Sequence, residues 1–117
     1  MPEGAARPIV CVDVNGVLDR YTGWRGPDHF DDPRPGAARF LAALAESGFA
    51  VVVFTTRHPD GVWDWLRRHG MDTLVEDVTD RKPPAHVFID DRAICFTGDF
   101  DQTLQQVLDF TAHWEAR

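Results

Sequence analysis

Two patterns of apolar residues alternate along the chain: continuous runs, and stripes at helical spacing. Continuous runs rich in β-branched residues occupy positions 9–14, 49–56 and 86–91. Such runs are typical of strands that are buried on both faces of a parallel sheet. Two shorter segments, at 73–78 and 93–97, predict two further strands.

Stripes with apolar residues three and four positions apart predict three helices. The first follows Pro35, which suits the first turn of a helix, and ends at Gly48. The second is capped by Asp60 and ends at Gly70. The third spans 101–115. Its predicted inner face consists of Leu104, Val107, Leu108, Thr111 and Trp114.

The alternation of strands and helices predicts an α/β fold built on a parallel sheet. We expect a three-layer, Rossmann-like arrangement in which helices flank a parallel sheet of about five strands. With 117 residues, the chain is long enough for one domain with one hydrophobic core. Residues 1–8 are interpreted as a flexible N-terminal tail, and residues 9–117 as the single domain.

The net charge is −7, and the acidic residues are mostly aspartate, with 15 Asp against 4 Glu. The basic residues are 11 Arg and a single lysine, Lys82. A negative total argues against binding of duplex DNA through a broad basic face. The negative net charge is compatible with a small anionic substrate that is held by a cation. Because aspartate favours turns, helix caps and metal sites, the excess is compatible with a site built from carboxylates.

Cys11 and Cys95 lie in apolar runs and lack the C-x-x-C spacing of common metal sites. We expect both thiols to be buried and reduced, as is usual in cytoplasmic proteins. The start of the chain shows no basic stretch followed by an apolar one, so no signal peptide is predicted. The longest apolar run, 49–54, is too short to span a bilayer. The sequence therefore predicts a cytoplasmic protein with no membrane partner.

Polar residues that could bind a ligand or take part in catalysis lie at the ends of the predicted strands. In an open parallel sheet, ligands bind beyond the carboxyl ends of the strands. Three carboxylates at one point would repel one another unless a cation joined them, and oxygen ligands favour Mg²⁺. Hydroxyl, ammonium and backbone N–H groups beside that cation suit a phosphoryl group, and one carboxylate could be a nucleophile. The candidate residues are Asp13, Asn15, Gly16, Thr55, Thr56, Lys82, Asp90 and Asp91.

These residues, in this order, resemble the four motifs of the haloacid dehalogenase (HAD) superfamily of phosphohydrolases. The first motif is matched by 13–18 (DVNGVL), and the second by the strand that ends at Thr55. The third is matched by Lys82 and the fourth by 88–91 (FIDD). The run 90–92 (DDR) is also similar to the phosphatase domain of phage polynucleotide kinases. The resemblance covers nearly the whole chain and implies Mg²⁺-dependent hydrolysis of phosphomonoesters.

The resemblance implies a role for each residue that matches the first and fourth motifs. Asp13 would be the nucleophile and would form a phospho-aspartate. The backbone carbonyl of Asn15 and the carboxylates of Asp13 and Asp91 would hold Mg²⁺. Asp90 would support the ligands of the metal or would support Lys82.

The remaining matched residues would bind the phosphoryl group. Thr55 would hold its oxygens, or Thr56 if the alignment is shifted by one residue. Lys82 would balance the charge of the nucleophile and of the phosphoryl group. The segment formed by Asn15 and Gly16 would also contact the phosphoryl group.

Asn15 departs from the first motif, because hydrolytic members usually carry a second Asp there. That Asp protonates the leaving group and then activates water, and an amide can do neither. General acid–base catalysis is worth roughly 10²–10⁴-fold, so we expect turnover to be slower by about that factor. Three explanations stay open: an engineered Asp-to-Asn variant, a natural member that uses another acid, and an inactive phosphate-binding protein. His58 is a candidate for the other acid, with a solvated loop histidine as the alternative interpretation.

The family inserts its caps after the first or the third strand, and here both connections are short, at 17–34 and 78–85. We therefore predict that there is no cap domain and that the site is open. The predicted partner is a phosphorylated small molecule or a nucleic-acid end. Side chains of the first connection, the flap, could stack on a base or sugar, or pack onto the protein body. They are Tyr21, Trp24, Arg25 and Phe30.

Other classes of protein fit the sequence less well. A phospho-acceptor receiver domain carries its acid pair on the first strand, whereas here Asp90 and Asp91 come last. A P-loop or a dinucleotide-binding protein is disfavoured because neither glycine motif is present. The main alternative is an inactive phosphate- or nucleotide-binding module on the same fold, for which Asn15 is the argument.

Overall fold

The computed structural model describes residues 7–23, 25–26 and 29–110. Most of the predicted tail therefore lies outside the described residues. So do Trp24 of the flap and two predicted inward positions of the last helix, Thr111 and Trp114.

Four parallel strands form one sheet in the order β3-β2-β1-β4. The strands are β1 (Ile9–Asp13), β2 (Ala50–Phe54), β3 (Asp77–Thr79) and β4 (Val87–Ile89). The register places Asp13 beside Phe54, at the carboxyl ends of the two central strands. The predicted α/β class, a parallel sheet with flanking helices and no cap, is confirmed.

Three helices accompany the sheet: α1 (Ala37–Glu46), α2 (Pro59–Arg68) and α3 (Phe100–Asp109). Helix α1 packs against β2, and α2 packs against β3. Alternate side chains of the central strands face these two helices and form the core, since strand residues point to opposite faces in turn. The core includes Val10, Val12, Val51 and Val53 of the sheet with Leu41, Val62, Trp65 and Leu66 of the helices.

Helix α2 begins at Pro59, and its N-cap lies two residues before the predicted cap. His58 is the N-cap residue, and its Nδ1 accepts a hydrogen bond from the backbone N–H of Asp60 at 3.2 Å. Pro59 occupies the first helical position, where its missing N–H costs nothing. The prediction that Asp60 caps the helix is therefore wrong, because an imidazole replaced the expected carboxylate as the acceptor.

Two of the five predicted strands differ in the structure. In the segment 73–78, the first two residues belong to a short 3₁₀ turn at Asp72–Leu74, and β3 pairs only from Asp77. Among the described residues, 93–97 pairs with no strand, so the sheet has four strands and not about five. A short apolar segment indicates a strand only when a neighbouring strand offers free backbone groups, and the sequence does not reveal that.

Helix α3 has an apolar face that the described part of the chain leaves uncovered. The predicted inward residues Leu104, Val107 and Leu108 are 59%, 55% and 70% exposed. The prediction that they face inward is wrong, because periodicity defines an apolar face and not what covers it. Cys95 is exposed rather than buried, whereas Cys11 is buried as expected, and both thiols are free.

Candidate metal and phosphate site

The first part of the site is a wide loop, Val14–Leu18, that follows β1. The backbone N–H of Asp19 closes it by donating to the carbonyl of Val14 at 3.1 Å. The side chain of Asp19 is buried, and its Oδ1 accepts from the backbone N–H groups of Gly16 at 2.8 Å and Tyr21 at 3.0 Å. One carboxylate oxygen thus holds the middle of the loop that carries Asn15 and the segment that follows the loop.

Gly16 allows this loop to touch the end of β4. Its φ is +86°, a conformation that strains any residue with a Cβ. A Cβ at this position would also collide with the carboxylate of Asp91. Any other residue at position 16 would therefore be strained by its positive φ and would displace the carboxylate of Asp91.

Three carboxylates meet beyond the ends of β1 and β4, as the sequence predicts. One oxygen of each of Asp13, Asp90 and Asp91 lies within 4.8 Å of the others. Burial, and after it the charges of Asp90 and Asp91, together raise the pKa of Asp13 to about 7. Asp90 is held in place because its Oδ1 accepts from the backbone N–H of Arg92 at 2.9 Å. Such a cluster is costly unless positive charge enters it.

The oxygens around the cluster fit a cation. Oδ2 of Asp91 and Oδ1 of Asn15 are buried, and neither has a hydrogen-bond partner among the described residues. Both atoms are acceptors, and a buried acceptor without a donor is destabilising. A hard cation such as Mg²⁺ satisfies several oxygens at once, so the donor set suits it.

A cleft of about 260 Å³ opens beside the carboxylates. Besides the three aspartates, its walls consist of Asn15, Tyr21, Phe54, Thr56 and Arg92. The aromatic rings and the guanidinium give the cleft an apolar wall and a positive group next to the acid cluster. A phosphoryl group that is joined to a larger organic group would meet both kinds of surface here.

The two candidate threonines have different surroundings. Thr56 lines the cleft and is exposed. Thr55 is buried, its backbone N–H donates to Thr79, and its Oγ1 accepts from the backbone N–H of Arg57 at 2.8 Å. The structure therefore brings Thr56 to the cleft and uses Thr55 to shape the turn after β2.

Lys82 approaches the cluster from outside the main cleft. Together with Cys11, it lines a smaller crevice that also borders Asp13 and Asp90. Its Nζ lies 5.2 Å from the ring centre of Phe88 and 5.9 Å from that of Phe54. Within the described part of the chain, its ammonium thus lies beside aromatic rings and makes no ion pair with a carboxylate.

Phe30 of the flap packs onto the body of the protein. For this residue, packing is therefore the correct interpretation, and stacking on a base or sugar is not. Its ring stacks on Trp65 at 6.3 Å between ring centres, and the Arg57 guanidinium lies 4.6 Å from its centre. The indole N–H of Trp65 donates to the backbone carbonyl of Asp31 at 3.0 Å. Tyr21 is the described flap residue that reaches the cleft, while Arg25 is exposed.

His58 is not among the residues that line the cleft. Its side chain is 78% exposed, and its Nδ1 is engaged in capping α2. Sequence reasoning also missed Asp19, Phe54 and Arg92 as parts of the site. Phe54 and Arg92 directly adjoin matched residues, so proximity to strand ends was a signal that could have found them.

Comparison with known proteins supports the fold. No protein-family model and no curated protein matches the chain. A solved structure of a conserved protein from Bacteroides thetaiotaomicron is similar, with a TM-score of 0.60 at 18% identity. The match covers 90% of this chain and 92% of that protein. In the described part of the chain, no helix has the length and apolar character needed to cross a membrane.

Proposed function

We propose that the protein is a Mg²⁺-dependent phosphomonoester hydrolase of the HAD type, with Asp13 as the nucleophile. The observation that carries the proposal is the meeting of Asp13, Asp90 and Asp91 beside a cleft that also holds Thr56. The unpartnered oxygens of Asp91 and Asn15 support a cation at this point. Bound Mg²⁺ would supply the positive charge that offsets the carboxylates and the phosphoryl oxygens.

In the proposed reaction, a carboxylate oxygen of Asp13 forms a bond to phosphorus. The ester P–O bond breaks, and its electron pair leaves with the alcohol oxygen, which takes a proton from water. Thr56 donates a hydrogen bond to the phosphoryl group, and Lys82 adds positive charge from the neighbouring crevice. Water then attacks phosphorus, releases phosphate and restores Asp13.

The open cleft supports a phosphorylated small molecule or a nucleic-acid end as the substrate. Tyr21 and Phe54 offer aromatic surface next to the acid cluster, which suits the base or sugar of a nucleotide. The net charge of −7 argues against extended contacts with duplex DNA. We also propose a cytoplasmic location, and the two free cysteines are compatible with it.

A screen of phosphate esters tests this function. It should include p-nitrophenyl phosphate, nucleotides, and oligonucleotides phosphorylated at the 5′ or the 3′ end. We expect hydrolysis of at least one ester in the presence of Mg²⁺, faster in Asn15→Asp and absent in Asp13→Ala. Retention of the activity in Asp13→Ala would remove Asp13 from the mechanism.

Asn15 favours a second candidate, an inactive phosphate- or nucleotide-binding module. Asn15 lines the cleft, and its side-chain amide cannot transfer a proton. If this candidate is correct, neither the native chain nor Asn15→Asp turns over any ester, yet a phosphorylated ligand binds in the presence of Mg²⁺. Calorimetric titration with the esters of the screen separates the two candidates.

A further inference from the structure

The flap folds back on itself beside the cleft. The backbone N–H of Arg20 donates to the carbonyl of Asp32 at 3.0 Å. Thr22 donates to the carboxylate of Asp31 twice, from its backbone N–H at 3.1 Å and from its hydroxyl at 3.2 Å. These bonds join the two limbs of the flap on either side of Tyr21, which lines the cleft. The position of Tyr21 therefore depends on how the whole flap is fixed to the body of the protein.

A buried cation, Arg57, attaches the flap to the turn that follows β2. Its Nη1 donates to the backbone carbonyl of Gly26 at 3.0 Å, and its guanidinium lies 4.6 Å from the ring centre of Phe30. Its backbone N–H donates to Oγ1 of Thr55 at 2.8 Å, so the residue is itself held at the end of the strand. Because the guanidinium is shielded from solvent, water does not readily replace these contacts when they are lost.

Asp19 connects Arg57 to the cleft wall. Its carboxylate is buried, and Oδ1 accepts from the backbone N–H of Tyr21 at 3.0 Å. Burial raises the pKa of Asp19, and its backbone hydrogen bonds and the positive charge of Arg57 oppose that rise. The two side chains are thus close enough to interact electrostatically. The described residues that line the cleft do not include Arg57, so it can influence the cleft only through Asp19 and the flap.

We propose that Arg57 is a positioning residue, which fixes the flap and so holds Tyr21 against the leaving group of the substrate. This inference rests on the proposed function. It implies a preference for phosphate esters whose leaving group carries an aromatic ring or a base, because such a group stacks on Tyr21. A phosphate whose leaving group is too small to reach the flap gains nothing from this arrangement.

Steady-state kinetics with two substrates test the inference. The substrates are p-nitrophenyl phosphate, which carries a ring, and acetyl phosphate, which does not; both are measured with Mg²⁺ in the Asn15→Asp background. Arg57→Met should raise KM for p-nitrophenyl phosphate by at least about fivefold, the factor that corresponds to one weak stacking contact. KM for acetyl phosphate should stay unchanged, since Thr56 and the acid cluster are still in place. A general distortion of the fold or of Thr56 would raise both values alike.

A double-mutant cycle tests whether Arg57 acts through Tyr21. In Tyr21→Ala, the additional change Arg57→Met should have no further effect on KM for p-nitrophenyl phosphate. Arg57→Lys keeps the positive charge and one donor for the carbonyl of Gly26, so it should restore part of the preference. Arg67→Met is the matched control, because Arg67 is an exposed arginine of α2 that pairs with Asp64 at 2.8 Å. We expect it to change neither KM.

Circular dichroism establishes that each variant is folded. If Arg57→Met does not fold, Phe30→Leu decides, because it removes the ring beneath the guanidinium and keeps the charge; it should raise the same KM selectively. An equal rise in both KM values, an unchanged KM in the folded variant, or a full effect of Arg57→Met in Tyr21→Ala overturns the inference and leaves the phosphatase function standing. If Asn15→Asp hydrolyses neither substrate, the proposed function itself fails, and the inference fails with it.

Discussion

Replacement of Asp90 by Asn should stabilise the metal-free protein at alkaline pH, because it removes one of the charges that crowd Asp13. The pKa of Asp13 is raised from 3.8 to about 7, by burial first and then by Asp90 and Asp91. A shift of about three units corresponds to about 4 kcal/mol at 1.36 kcal/mol per unit. Since Asp13 is only partly buried, water screens part of this, and we expect about 1 kcal/mol to come from Asp90.

The sign of the pH dependence follows from proton binding. Between about pH 4 and pH 7, the folded chain keeps a proton on Asp13 that the unfolded chain has lost. The free energy of unfolding of the metal-free protein therefore decreases as the pH rises through this window. Asp90→Asn lowers the pKa of Asp13. The gain in free energy of unfolding from this substitution is therefore absent near about pH 4 and complete above about pH 7.

Thermal unfolding in EDTA measures this effect. At about 4 °C per kcal/mol, Asp90→Asn should melt about 4 °C higher than the native chain at alkaline pH and at the same temperature at acidic pH. Mg²⁺ should raise the melting temperature of the native chain more than that of the variant. Asp32→Asn is a control, because Asp32 is exposed and outside the cluster, and we expect it to change stability by less than about 0.5 kcal/mol. No gain at alkaline pH in Asp90→Asn would refute the reasoning.

Three further substitutions have distinct expected results. Gly16→Ala should lower stability by at least about 1 kcal/mol, because the positive φ at this position strains alanine. It should also abolish the Mg²⁺-dependent rise in melting temperature, because the added Cβ meets the carboxylate of Asp91. A normal rise would contradict the close approach of Gly16 and Asp91. Trp65→Phe keeps the aromatic stack but loses the hydrogen bond to the carbonyl of Asp31, which should cost about 1–2 kcal/mol in urea unfolding; an unchanged midpoint would show that this bond contributes little. Thr56→Ala should raise KM for a phosphate ester about tenfold, equivalent to about 1.4 kcal/mol, and leave stability unchanged, whereas Thr55→Ala should lower stability by about 1 kcal/mol. The reverse pattern in this matched pair would assign phosphate binding to the buried threonine.

The acid cluster could be predicted because it depends on a simple rule of sheet geometry. Asp13, Asp90 and Asp91 lie at the carboxyl ends of two apolar runs, and parallel strands present these ends at one edge of the sheet. To predict the cluster, it was enough to recognise that β1 and β4 are strands of one parallel sheet and lie close together. An error of one or two residues in the bounds of β4 did not matter, since the acid pair follows directly after it.

The sequence could not predict which individual side chains enter the site, because that depends on the register of single residues. Neighbouring strand residues point in opposite directions, so the choice between Thr55 and Thr56 required the last hydrogen bonds of β2. The role of Asp19 depends on a loop conformation that no periodic pattern encodes. The position of Lys82 among aromatic rings likewise follows from tertiary packing of the segment before β4.

Mg²⁺-dependent hydrolysis of p-nitrophenyl phosphate by Asn15→Asp tests most directly whether the acid cluster is a phosphoryl-transfer centre. The variant supplies the missing acid and base, so slow chemistry at Asn15 cannot mask the activity. We predict steady release of nitrophenolate that stops in EDTA and is absent when Asp13→Asn is added to the same chain. Turnover that survives either EDTA or the loss of Asp13, or no turnover in the folded Asn15→Asp variant, would contradict the proposed function.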